Sequence, residues 1–150
     1  EKNTMHRSPR VMTNTFFNLR ELTISIIQGL AITAGTIFMY QFSVHKGYDA
    51  EMTRSMVFTT LIFANIFLTL VNRSFYFSVF TTLKYKNALM KIMLSATLAL
   101  LAMILYIPSF ASFFRITSLN AIQISWTIIT AFVSVIWFEV YKMVKRNVRS

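Results

Sequence analysis

Of the 150 residues 55% are apolar and 13% charged, whereas a soluble domain carries roughly 45–50% and about 25%. Fifteen Phe and a mean hydropathy of +0.57 exceed what a small core hides beneath a solvated shell, which argues against a water-soluble domain and for lipid as solvent. The chain has no Cys, so a disulfide framework, a thiolate zinc site and a cysteine nucleophile are excluded. Its net charge of +10 suits nucleic acid in a soluble chain and a one-sided basic excess in a membrane protein, and the positions of the charges separate the two.

A membrane-crossing helix needs about 20 mostly apolar residues. Intervals free of Asp, Glu, Lys and Arg predict spans over residues 22–44 and 55–72, the first between Glu21 and Lys46 and the second between Arg54 and Arg73. The interval from Ile92 to Phe114 is interrupted by Pro108, which ends a helix near Ile107. The third span is therefore read over 88–107, with Lys91 snorkelling at its entry. The fourth covers 119–138, with Asn120 as N-cap and Glu139 the first charge on leaving. The first outward loop, His45 to Arg54, is too short to fold alone. The fold class expected is an all-α membrane protein, a four-transmembrane-helix bundle forming a single membrane domain over 1–150.

Between the second and third spans, Ser74 to Leu83 is free of charge but about half the length a crossing requires. Phe75, Tyr76, Phe77 and Phe80 among small polar neighbours suit the headgroup zone, so a short interfacial segment is expected there. Lys2, Arg7, Arg10, Arg20, Arg73, Lys84, Lys86, Lys91, Lys142, Lys145, Arg146 and Arg149 then fall on one face, and Lys46, Arg54 and Arg115 on the other. Twelve against three places both termini in the cytoplasm. Topology thus uses up the basic excess and leaves no groove for nucleic acid. Tyr40, Tyr106 and Trp126 near the outer exits and Tyr76, Trp137 and Tyr141 near the cytoplasmic ones agree with this orientation. The opening Glu1-Lys2-Asn3-Thr4 has no apolar signal core and reads as the start of an excised piece or processed product.

Polar side chains deep in the spans are where function is sought, because lipid leaves each in need of a partner. No carboxylate, Lys, Arg or His lies mid-span, which argues against a proton relay or a metal cage built from these helices alone. Asn65 is central in the second span; its amide oxygen either binds a cation or joins an interhelical hydrogen bond to Gln28, a Ser or a Thr. Gln28 is read as a packing residue. Ala31 with Gly35, Ser95 with Ala99 and Thr130 with Ser134 have the four-residue spacing of small residues that lets helices approach closely. Glu139 and Lys142 are expected to form a surface ion pair. His6 and His45 lack ligand-spaced partners, and no nucleophile–base arrangement or Gly-rich phosphate loop is present, so no catalytic residue is assigned.

Met5-His6-Arg7-Ser8-Pro9-Arg10 resembles the Met-x-Arg-Pro-Pro-Arg stretch that precedes the seventh membrane helix of calcium-ATPase-like P-type cation pumps, with Ser8 departing from the first Pro. Met56 to Leu61 and Asn72-Arg73-Ser74 resemble the bounds of that family's eighth helix. Ile104 to Pro108 is similar to the end of the ninth, and Glu139 through Lys145-Arg146-Asn147 to the end of the tenth. The resemblance covers essentially the whole chain and implies the C-terminal membrane bundle of an ATP-driven pump. Such a parent hydrolyses ATP with magnesium in cytoplasmic domains and holds cations mainly on its fourth to sixth helices. The family's Asp-Lys-Thr-Gly-Thr phosphorylation motif does not occur here, so the resemblance implies a supporting bundle, non-catalytic and without a cofactor of its own, with the rest of the pump and the bilayer as partners. By register, the one family ligand that maps onto these helices falls on Asn65. A neutral Asn there would imply one cation per cycle if the cargo is calcium. The plasma (inner) membrane is the implied location.

Two other readings stand beside it. A free-standing four-helix transporter of the small multidrug type wants a carboxylate in the first span, and 22–44 has none. A non-transporting scaffold subunit has no positive signal.

Overall fold

The computed structural model describes residues 19–72 and 88–147, all of whose regular structure is helical. The helices are α1 (Leu19–His45), α2 (Ala50–Asn72), α3 (Ala88–Tyr106), α4 (Pro108–Phe114) and α5 (Ala121–Asn147). The interfacial segment expected over 74–83 and the Glu139–Lys142 pair lie outside the described residues and side chains.

The first turn is tighter than expected. Gly47 has φ +73, with its N–H on Val44 O at 3.0 Å and that of Tyr48 on Ser43 O at 3.2 Å, a Schellman end that needs a left-handed residue. Asp49 follows as N-cap, its Oδ1 accepting from Met52 N at 2.8 Å and its carbonyl from Thr53 N at 2.9 Å. The helix therefore starts at Ala50 and not at Ser55, and Glu51 and Arg54 belong to it. Charged residues are tolerated in a terminal turn that stands outside the hydrocarbon, so a rule demanding charge-free intervals clips helix ends.

Pro108 does end α3, at Tyr106, but it also begins α4 as the first-turn residue. α4 leaves α3 at 84°. Arg115, at φ 50, closes it, with the Ile116 N–H on Ala111 O. At the start of α5 the N–H of Asn120 is bonded by Gln123 Oε1 at 2.8 Å, the returning half of a capping box. Asn120 thus occupies the expected N-cap place, although Gln123 supplies the side-chain contact.

α1, α2 and α5 pack on one another, and α3 touches α2 more sparingly. Two apolar clusters lie along the bundle. One joins Met39, Met56, Leu101, Ile104, Ile116 and Leu119; the other joins Ile32, Ala64, Val71, Ala131, Val135 and Phe138. Thr59, Thr60 and Thr127 are fully buried. Gly35 of α1 meets α5 where a Cβ would overlap the Ser134 hydroxyl, with Thr130 beside it, so these small residues do serve close approach. Ser95 and Ala99 do not: both are exposed on α3, because α3 engages the bundle through Leu101, Ile104 and Leu105.

Leu22–His45, Ala50–Asn72 and Ala121–Phe138 are each long and apolar enough to cross a membrane. Met90–Tyr106 passes only together with α4, so among the described residues there are three such spans, or four if the bent pair is one.

Candidate functional site

α3 packs against the bundle at its C-terminal end and diverges from α2 toward its N-terminus. The gap is a cleft of about 580 Å³ lined by Ile62, Asn65, Thr69 and Asn72 from α2 and by Met90, Met93 and Thr97 from α3. Asn65, Thr69 and Asn72 are spaced by four and three residues, which puts them on one face of α2. The buried positions Met56, Thr60 and Ala64 turn toward the bundle.

Asn65 is exposed, and its Nδ2 donates to Leu61 O at 2.9 Å while its own carbonyl accepts from Thr69 Oγ1 at 2.8 Å. Among the described residues nothing donates to its side-chain oxygen. The interhelical bond, one of the two readings of Asn65, is therefore not made among the described residues. Gln28, only 4% exposed, pairs instead with Asn72, Nε2 to Oδ1 at 2.8 Å and Nδ2 to Oε1 at 3.0 Å. The reason is axial height. Asn72 lies seven residues beyond Asn65, about 10 Å at 1.5 Å per residue, and that is the level at which α1 presents Gln28. The packing role read for Gln28 holds, with a partner the sequence had only suggested as a helix boundary. The spacing of Asn65, Thr69 and Asn72 was the signal that could have marked a polar stripe.

Chemically, the described cleft residues supply neutral oxygens: the Asn65 amide, with the Thr69 and Thr97 hydroxyls donating to Asn65 O and Met93 O. Asn72 also lines the wall but its amide is taken by Gln28, and the remaining lining side chains are apolar. A hard divalent cation takes six to eight oxygens, so this wall is at most a fraction of a coordination sphere and needs ligands from elsewhere.

No curated protein matches the chain. Residues 1–144 match the family model described as cation transporting ATPase, C-terminus. The chain belongs to that family, as the C-terminal membrane-helix region of an integral, multi-pass P-type cation-transporting ATPase.

Proposed function

We propose that this bundle braces the transport helices of its pump and lends them one neutral ligand, the side-chain oxygen of Asn65. The observation that carries the reading is its geometry. Its amide nitrogen is tied to Leu61 O, which fixes the amide plane, and the oxygen is left without a donor among the described residues on an exposed face of α2. An uncharged oxygen contributes less to a divalent cation than a carboxylate, which fits one cation per cycle if calcium is the cargo. The parent's ATP and magnesium belong to domains outside this chain, and the plasma (inner) membrane is the location the resemblance offers. In the full-length pump, Asn65→Ala should raise the cation concentration for half-maximal ATP hydrolysis while leaving membrane assembly intact. Identical cation dependence in variant and parent would remove the ligand role.

We further propose four crossings with both termini cytoplasmic, α3 supplying the third up to its bend at Pro108. Support comes from the twelve-to-three division of basic residues. A tag placed after Ser150 should be protected from an impermeant reagent in sealed right-side-out cells; labelling of that tag would refute the orientation.

A further inference from the structure

α4 has no buried residue, and its exposed surface is aromatic: Phe110 is 43%, Phe113 80% and Phe114 43% exposed. At 100° per residue the three rings fall within an arc of about 100°, and Ser112 points the opposite way from Phe110. Phe113 and Phe114 stack edge to face at 5.1 Å, so the patch is continuous.

Its level in the molecule is set by two independent features. α3 has 19 residues, about 28 Å of helix, close to the roughly 30 Å thickness of a hydrocarbon core. The bend at Ile107 and Pro108 thus falls where that core ends, and an 84° turn lays α4 along the boundary. The segment after α4 is fastened to the first turns of α2. Arg54 Nη1 donates to Arg115 O at 2.7 Å, and Ser55 Oγ accepts from Thr117 N at 2.8 Å. The Arg54 guanidinium is therefore held at the C-terminal end of the helix, which the exposed Arg115 closes, and this is the depth where lipid phosphates lie.

The geometry points to α4 as an interfacial foot: a short helix lying in the bilayer surface with Phe110, Phe113 and Phe114 inserted among the upper acyl chains of one leaflet and Ser112 turned to water. The partner is the phospholipid bilayer itself. Insertion of such an apolar face to about 5–10 Å is ordinary for interfacial helices. It removes from water three rings that stand exposed on the described surface. This assignment rests on the four crossings proposed above.

The test uses single-cysteine versions of the full-length protein, to which this stretch contributes no cysteine, spin-labelled in phosphatidylcholine vesicles. Collision with lipid-soluble oxygen is compared with collision with a water-soluble nickel chelate. At Phe110→Cys and Phe113→Cys the oxygen-to-nickel ratio should be several-fold above that at Ser112→Cys, and Ile129→Cys, midway along the apolar stretch Ala121–Phe138 of α5, should be inaccessible to nickel. Nickel-dominated contact at positions 110 and 113 with position 129 still shielded would overturn the foot and leave the crossings standing. Exclusion of both reagents at 110 and 113 would mean protein covers the rings, and oxygen-dominated contact at 112 as well would mean α4 is sunk in the core; either overturns the proposal. Nickel contact at 129 would fell the crossings and this assignment with them.

Discussion

Gln28 of α1 and Asn72 of α2 hold each other through both halves of their amides, at 2.8 and 3.0 Å. In water such a pair is a minor contact. In an apolar surround it satisfies four polar sites at once, and it ties the first helix of the bundle to the end of the second. Interhelical hydrogen bonds in membranes average about 0.6 kcal/mol and reach about 1.7. Asn72→Leu should therefore destabilise the bundle by roughly 1–2 kcal/mol, because it also orphans the buried Gln28 amide. The double variant Gln28→Leu with Asn72→Leu should lose less than the sum of the singles. Additive losses in a detergent unfolding titration would show that the pair is not coupled.

Gly35 and Gly29 make opposite predictions from the same residue type. A methyl at Gly35 would overlap the Ser134 hydroxyl, which is held by Thr130 O at 2.8 Å, whereas nothing lies within 4 Å of a methyl at Gly29. Gly35→Ala should cost about 1–3 kcal/mol by overpacking, and Ser134→Gly in the same chain should recover most of it. Gly29→Ala should be neutral or stabilising by up to about 1 kcal/mol, since Ala is the better helix former. Equal thermal midpoints for the two alanine variants would contradict the close crossing of α1 and α5.

Ser55 is fully buried and joins α2 to the linker after α4, with Oγ contacts to Thr117 N at 2.8 Å and to Thr117 O at 2.9 Å. Ser55→Ala should leave the Thr117 N–H without its partner at a cost of about 1–3 kcal/mol. Its local signature is faster amide hydrogen exchange at Thr117 than in the parent, with helix α2 unchanged. Unaltered exchange at Thr117 would mean the linker is held by other contacts.

The long apolar helices were legible because lipid permits few interruptions, so Pro108 and the charged residues punctuate the chain in plain view. Their ends were less so: Asp49 caps α2 ahead of Glu51 and Arg54, which a search for uncharged stretches discards. Which side of a helix faces a neighbour was nearly illegible. Helices apolar on all sides carry little amphipathic contrast, so Gln28 could not be matched to Asn72 over Asn65 without the relative heights of α1 and α2. α4 was missed since seven residues are too few to show a period. The free oxygen of Asn65 depends on the rotamer that sends Nδ2 to Leu61 O, which residue type and spacing do not show.

Thr59 supplies the last prediction. Thr23, Thr33, Thr60, Thr69 and Thr97 each return their hydroxyl to the carbonyl four residues earlier, the usual remedy for a hydroxyl in a helix within lipid. Thr59 does not: its Oγ1 is buried and has no partner among the described residues. An unpaired hydroxyl in an apolar site carries its desolvation cost uncompensated, on the order of 1–3 kcal/mol, and valine has nearly the same shape without it. Thr59→Val should therefore stabilise the bundle by about 1 kcal/mol, seen as a higher thermal midpoint in detergent, and Thr59→Ser should gain nothing. Thr59 is buried against the bundle and does not line the α2–α3 cleft, so Thr59→Val should leave the cation dependence of ATP hydrolysis in the full-length pump unchanged. A valine variant less stable than the parent would show that the hydroxyl is bonded in the intact protein.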